Sequence, residues 1–187
     1  AIIENLEIKQ KLMQQLEGIV KPETILASNT SSLSISAIAA NCSQPERVAG
    51  YHFFNPVPLM KVVEVIEGFN TRADIVDALT QLSTKMGHRP VKAKDTPGFI
   101  INHAGRAFGS EAYAILNENV TPFYEIDRIY RDGIGFKMGP FELGDLTGMD
   151  VSHPVSESIY HQYYEEARYR PSVITRQRFI AKQLGRK

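Results

Sequence analysis

The chain has 187 residues, of which 43% are hydrophobic and 22% charged, the balance of a soluble globular protein with room for one large domain or two small ones. Lys plus Arg and Asp plus Glu both number 21, so no net charge favours binding to nucleic acid or to an anionic membrane. No apolar stretch of about 20 residues and no secretory leader is visible. A single cysteine, Cys42, excludes an intramolecular disulfide and fits a reducing cytoplasm, where we expect the protein to reside.

The first residues suggest a chain that continues an element begun elsewhere. Ala1-Ile2-Ile3 is apolar and leads directly into a helical pattern, as the tail of a strand would. We therefore expect the sequence to be a fragment of a longer protein. The helix predicted over 4–20 ends near Gly18 and Pro22.

Strands and helices then alternate as far as residue 94, which is typical of a mostly parallel α/β sheet. Strands are predicted at 24–27, 47–54, 61–66 and 90–94, with a short helix at 33–40. A further helix is predicted to begin at Thr71, with Asp74 completing a capping box. The apolar positions of that helix predict a buried face: Ile75, Leu79, Leu82 and Met86.

Two of these strands flank a loop that contains Pro56 and Pro58 and predict a hairpin at one edge of the sheet. His52 and Glu64 are each six residues from Pro58, so antiparallel pairing places them opposite each other. A carboxylate beside an imidazole fixes its tautomer and stabilises its cation, as a general base requires. Residues 28–32 form a polar loop after the first strand, where open α/β sheets bind ligands.

Strand patterns end at Asp95-Thr96-Pro97-Gly98, and only helices are predicted beyond it. These are expected at 99–117, from Thr121 to Gly133, at 139–146, at 150–168 and at 172–184. The four histidines other than His52 show no spacing typical of a metal site, and none is predicted. The glycines between 133 and 139 predict a turn between helices.

Four motifs in order resemble the L-3-hydroxyacyl-CoA dehydrogenases of fatty-acid β-oxidation: residues 28–33 (SNTSSL), 50–56 (GYHFFNP), 95–102 (DTPGFIIN) and 139–143 (GPFEL). The resemblance implies an NAD-binding Rossmann domain, of which residues 1–96 would be the C-terminal portion. It also implies that residues 97–187 form a helical domain that binds the acyl chain and makes a homodimer.

The resemblance also assigns roles to individual residues at positions that match the family's motifs. The resemblance implies that His52 is the general base, that Glu64 orients it, and that Ser31 and Asn102 hold the oxygens of the substrate. It further implies cofactor-side contacts at Glu4, Lys9, Ser31 and Asn55. The implied reaction is oxidation of the 3-hydroxyl of an acyl-CoA to a ketone, with NAD as hydride acceptor. Asn102 would bring the helical part to a site built mainly by the sheet.

The family's glycine-rich turn, which holds the pyrophosphate at a helix N-terminus, has no counterpart in this sequence. We therefore expect the 187-residue chain alone to bind the dinucleotide poorly and not to catalyse the reaction. Two alternatives stay open at this point. One is a non-catalytic module for acyl-CoA binding and dimerisation, and the other is a hydrolase with a triad of Ser31, His52 and Glu64.

The acyl chain is not predicted, because contacts to the tail come from helices without a readable pattern. Three segments of the helical part resemble larger bacterial members of the family, some of which act on 3-hydroxyadipyl-CoA: 153–155, 163–166 and 170–172.

Overall fold

A computed structural model describes residues 2–186, which divide into two compact units, Ala1–Ile101 and Asn102–Lys187. The sheet unit contains, in chain order, α1 (Leu6–Ile19), β1 (Leu26–Ser28), α2 (Ile35–Ala39), β2 (Val48–Phe53), β3 (Val62–Glu67), α3 (Ala73–Lys85) and β4 (Arg89–Lys94). The helical unit contains α4 (Ile101–Asn117, whose first residue ends the sheet unit), α5 (Phe123–Arg128), α6 (Pro140–Thr147), α7 (Met149–Gln162) and α8 (Val173–Ile180). The prediction of an α/β part followed by a helical part is confirmed.

The four strands form one mixed sheet in the order β1-β2-β3-β4. β1 is parallel to β2, β2 is antiparallel to β3, and β3 is parallel to β4. The predicted hairpin of β2 and β3 therefore exists, but the prediction of its place was wrong. It lies at the centre of the described strands, because β4 pairs in parallel with β3 and extends the sheet beyond it.

The core of the sheet unit requires a glycine at one position of β2. Gly50 pairs with Ile66 on β3, and a Cβ added to Gly50 would come within 2.7 Å of the Ile66 Cβ. The same atom would lie 2.9 Å from Cδ1 of Ile35, a fully buried residue of α2. Close approach of helix and sheet at this point leaves no space for a side chain.

Two details predicted for α3 were wrong. Thr71 does not cap the helix, because its hydroxyl donates to the Val48 carbonyl at 2.6 Å and accepts from the Gly68 N–H at 2.9 Å. Asp74 forms an ion pair with Arg72 instead of completing a capping box. The buried face also differs: Leu82 and Met86 are 45% and 46% exposed, whereas Ile75, Val76, Leu79 and Ser83 are buried.

In the helical unit, Asp127 organises the start of α6. Its carboxylate accepts from the N–H groups of Phe141 and Glu142 at 2.9 and 3.2 Å. The Glu142 carboxylate accepts from the Gly139 N–H at 3.0 Å and pairs with Arg131. A Cβ on Gly139 would collide with Asp127. The motif at 139–143 therefore has a structural function, since it closes the α5–α6 turn.

Residues 129–134 form a π-helical segment after α5, and Gly135 adopts a positive φ of 84°. The glycine-rich stretch before α6 is thus a connection between helices, as predicted. None of the helices in the described range combines the length and the apolar character that crossing a membrane requires.

Candidate active site

The centre of the site is a side-chain pair across the β2–β3 hairpin. His52 and Glu64 are cross-strand partners, so the predicted register is confirmed. Nδ1 of His52 lies 2.7 Å from Oε2 of Glu64. His52 is 3% exposed and Glu64 is fully buried, so the pair is shielded from water. A carboxylate buried in this way requires partners for both of its oxygens.

The second oxygen of Glu64 is held by the backbone. Oε1 accepts from the N–H groups of Ile100 and Ile101 at 3.0 and 2.9 Å. Both residues follow the Asp95-Thr96-Pro97-Gly98 turn, where Phe99 adopts a positive φ of 51°. The carboxylate therefore accepts from two backbone donors and contacts the imidazole, which holds it in one orientation.

This arrangement determines the protonation pattern of the imidazole. A carboxylate that accepts from two N–H groups acts as an acceptor toward Nδ1, so Nδ1 carries a proton and Nε2 carries a lone pair. Oγ of Ser31 lies 3.1 Å from Nε2. Nε2 of His52 therefore faces the polar loop that follows β1, and the role predicted for Ser31 in holding a substrate oxygen stays a prediction.

Two aromatic rings lie against the imidazole. The ring centres of Phe54 and Phe99 are 4.5 and 5.8 Å from that of His52. Phe99 is 3% exposed. These rings restrict the rotation of the imidazole and limit the access of water to its edges, which strengthens its polar contacts.

Glu4 organises the loop that carries Ser31. Its Oε1 accepts from the Thr30 hydroxyl, from the Ser31 N–H at 2.9 Å and from the Ser32 N–H at 3.2 Å. Its Oε2 lies 3.1 Å from Nζ of Lys9, which is 7% exposed. Burial raises the pKa of Glu4, but the bonds from Thr30, Lys9 and Ser31 outweigh it, so the pKa lies below its ordinary value.

Two residues of the site were not assigned a function from the sequence. Oδ1 of Asn29 accepts from the Phe53 N–H at 2.7 Å and joins the carboxyl ends of β1 and β2. The Asp95 carboxylate accepts from the N–H groups of Ile35 and Ser36, both at 2.8 Å, at the start of α2. A polar residue directly after each strand was the available signal, but the partners are far apart in the sequence.

The other predicted residues lie as follows. Asn55 is exposed at the start of the loop after β2. Asn102 is the second residue of α4 and belongs to the helical unit. Its predicted placement beside His52, and the cofactor contacts of Glu4, Lys9, Ser31 and Asn55, stay predictions.

Comparison with known proteins identifies the family. The family model described as "3-hydroxyacyl-CoA dehydrogenase, NAD binding domain" matches residues 1–96, and the model described as "3-hydroxyacyl-CoA dehydrogenase, C-terminal domain" matches residues 98–187. The chain belongs to the 3-hydroxyacyl-CoA dehydrogenase family.

Individual relatives agree with this assignment. The chain is 46% identical over its whole length to the 3-hydroxyadipyl-CoA dehydrogenase of Escherichia coli and 42% identical to the probable 3-hydroxybutyryl-CoA dehydrogenase of Deinococcus radiodurans. It spans 39% of the first relative and 67% of the second. A crystal structure of 3-hydroxybutyryl-CoA dehydrogenase from Escherichia coli superposes with a TM-score of 0.94 at 46% identity, over 98% of this chain and 39% of that one.

Proposed function

We propose that the protein containing this chain oxidises the 3-hydroxyl of an L-3-hydroxyacyl-CoA to the 3-ketoacyl-CoA, with NAD as hydride acceptor. The observation that carries the proposal is the contact of the His52 Nδ1 with the buried Glu64, which leaves Nε2 directed at Ser31. Membership of the family supplies the substrate class. The relatives' names differ in the acyl chain, adipyl in one and butyryl in another.

The polar groups of the site fit a nicotinamide cofactor. Ser31, Asn29 and Asn55 follow the carboxyl ends of the parallel strands β1 and β2, where ligands of open α/β sheets bind. Glu4 and Lys9 are paired beside the same loop. These residues would hold the nicotinamide and its ribose. When bound, NAD supplies the acceptor for the hydride that leaves C3.

The residues of the chain supply the proton chemistry. The C3 hydroxyl donates its proton to Nε2 of His52 as the C3–H bond breaks and the carbonyl forms. Glu64 stabilises the resulting imidazolium, since its carboxylate already faces Nδ1 at 2.7 Å. A positioned base contributes typically ~10²–10⁴-fold to such a step. Ser31 and Asn102 would orient the hydroxyl and thioester oxygens, which is an entropic contribution.

A hydrolase is the second candidate, because Ser31, His52 and Glu64 have the contacts of a catalytic triad. The two candidates differ in what Ser31 does. As a nucleophile, Ser31 forms the acyl bond itself, so Ser31→Ala abolishes turnover. As a substrate-binding hydroxyl, it contributes one hydrogen bond to a charged transition state, so Ser31→Ala costs ~10–100-fold in kcat/KM.

The test is an assay of the full-length protein with an L-3-hydroxyacyl-CoA, with and without NAD. Cofactor-dependent formation of NADH without release of free CoA supports the dehydrogenase. Release of CoA thiol without cofactor supports the hydrolase. Acyl-CoA binding with neither activity supports the non-catalytic module.

We further propose that the protein is a homodimer formed through the helical unit. Large apolar side chains lie exposed around α5 and α6, with Phe123, Leu143 and Leu146 54%, 47% and 53% exposed. The two helices pack against each other, and exposed apolar side chains on neighbouring helices are typical of an interaction surface. Leu143→Glu should shift the full-length protein to a monomer in sedimentation velocity. Phe69→Ser, at an 88% exposed site of the sheet unit, should leave it a dimer. A wild-type monomer would contradict the proposal.

A further inference from the structure

The last residue of β2 has a backbone N–H group that the backbone of β1 does not reach. The parallel pairing of β1 with β2 ends at Ser28, opposite Gly50, whereas β2 continues to Phe53. The side chain of Asn29, the first residue after β1, supplies the acceptor: its Oδ1 accepts from the Phe53 N–H at 2.7 Å. A side chain thus satisfies a donor that a longer β1 would have paired through its backbone.

Because a side chain makes this bond, the backbone that follows β1 can leave the sheet. If the pairing continued in the same register, Thr30 would lie opposite His52. Instead, the Thr30 hydroxyl donates to the carboxylate of Glu4. The chain turns there, and Oγ of Ser31 lies 3.1 Å from Nε2 of His52. The asparagine bond therefore permits the contact between Ser31 and the imidazole.

The loop is held on both sides of Ser31. On one side, Oε1 of Glu4 accepts from the Ser31 N–H at 2.9 Å. On the other side, Asn29 is bound to Phe53, the residue that directly follows His52 in β2. Glu4 therefore fixes the fold of the loop itself, whereas Asn29 fixes the distance from the loop to the strand that carries the base.

The surroundings of Asn29 separate this effect from the packing of the sheet unit. Asn29 is exposed, and it belongs to neither of the two apolar clusters of that unit. A change at an exposed residue outside the core has a small effect on stability. A substitution of Asn29 should therefore alter the geometry of the loop and leave the chain folded.

We propose that Asn29 is a positioning residue for the reaction, because the bond from the Phe53 N–H to its Oδ1 sets the separation between the Ser31 hydroxyl and Nε2 of His52. This inference rests on the proposed function, since it needs both groups at the substrate. It adds a function of the amide oxygen that is separate from any contact between the amide nitrogen and the cofactor. A displacement of about 1 Å at such a site costs up to ~10²-fold in rate.

The experiment measures kcat and KM of the full-length protein with an L-3-hydroxyacyl-CoA at saturating NAD. Asn29→Ala should lower kcat by ~3–10-fold, the contribution of one hydrogen bond. Asn29→Asp keeps an oxygen at the same place and replaces only the nitrogen, so its kcat should stay within about 2-fold of the wild type. Asn70→Ala, at an exposed asparagine after β3, is the matched control and should have the wild-type kcat.

A double-mutant cycle tests whether Asn29 acts through Ser31. In a Ser31→Ala background there is no hydroxyl to place, so adding Asn29→Ala should lower kcat by less than about 2-fold. Losses that simply multiply in the double variant would give Asn29 an effect independent of Ser31 and would overturn the inference.

Equal losses of kcat in Asn29→Ala and Asn29→Asp would overturn it as well, because the effect would then come from the amide nitrogen. A wild-type kcat in Asn29→Ala has the same consequence. If Asn29→Ala does not fold, Asn29→Gln takes its place, since the longer side chain displaces the oxygen from the Phe53 N–H. A wild type that oxidises no L-3-hydroxyacyl-CoA overturns the proposed function itself.

Discussion

The sheet unit and the helical unit differ in how much apolar surface each buries. Both buried clusters of apolar side chains belong to the sheet unit, on the two faces of its sheet. In the described part of the helical unit, the buried apolar side chains are Ala112, Ile126, Met149, Ile159 and Tyr169. The sheet unit therefore has two apolar clusters of its own, whereas the buried apolar side chains of the helical unit are fewer.

The polar groups of the two units differ in what they hold in place. In the sheet unit the carboxylates of Glu64 and Glu4 are each satisfied by several donors from the same unit. In the helical unit the Asp127 carboxylate accepts from two backbone N–H groups at the start of α6, and the Arg106 guanidinium donates to a carbonyl and a hydroxyl of α7. The sheet unit therefore holds the His52–Glu64 pair in place with its own backbone donors. Each variant below tests one side of this comparison.

The largest effect is expected for His52→Gln in the sheet unit. Glutamine can still contact Glu64 but cannot take up a proton, so kcat/KM should fall by ~10²–10⁴-fold. The measurement is the rate of NADH formation by the full-length protein. His161→Gln, at an exposed site of the helical unit, is the matched control and should have wild-type activity. Equal activities of the two variants would exclude His52 as the base.

Glu64→Ala should cause the largest loss of stability. It removes the acceptor of two backbone N–H groups and leaves the imidazole without its partner. Loss of one partner of such a buried network costs about 3–5 kcal/mol. Urea denaturation gives the free energy of unfolding. Glu67→Ala, at a partly exposed ion pair on the same strand, should cost less than about 1 kcal/mol. Similar losses in the two variants would contradict the central position assigned to Glu64.

Glycine-to-alanine substitutions should have opposite effects in the two units. Gly50→Ala forces a methyl group against Ile66 and Ile35 and should cost about 1–3 kcal/mol. Gly105→Ala lies within α4, where an added Cβ meets nothing within 4 Å, and should stabilise by about 0.5–1 kcal/mol. Thermal unfolding of both variants measures the difference. Destabilisation by Gly105→Ala would show that this face of α4 is in close contact with another molecule.

A small, pH-dependent effect is expected at Glu4. Its pKa is lowered in the folded chain, so the stability it contributes is present above the pKa of the unfolded state and is lost as the pH falls through the folded-state pKa. Glu4→Gln should therefore cost about 1 kcal/mol near neutral pH. The difference from wild type should disappear as the solution is acidified. The exposed Glu23→Gln is the control, and a cost independent of pH would contradict an ionised Glu4.

The parts of this architecture that follow local rules could be predicted from the sequence. The pairing of His52 with Glu64 was predicted because the two residues are equally far from Pro58 in the sequence. The position of Ser31 after β1 was predicted because ligand-binding loops of open α/β sheets follow the carboxyl ends of parallel strands. Both predictions needed only spacing and strand direction.

Contacts that join distant segments could not be predicted in this way. Nothing local indicates that Glu64 accepts from the N–H groups of Ile100 and Ile101, more than thirty residues later. The periodicity of α3 gave an apolar face, but the sheet covers only part of it, so Leu82 and Met86 are exposed. Ser83 is buried because its hydroxyl lies 2.8 Å from that of Tyr51 on β2.

The register of the β2–β3 ladder has a further consequence for how sequences of this kind can vary. Side chains alternate between the two faces of a strand, so a slip of one residue turns Glu64 toward the face opposite His52. Such a slip would also move the buried side chains of β3 to the opposite face, so the chain would lose its packing together with the His52–Glu64 pair. An insertion or deletion in the loop that contains Pro56 and Pro58 therefore preserves the site only if His52 still pairs with Glu64 across the two strands.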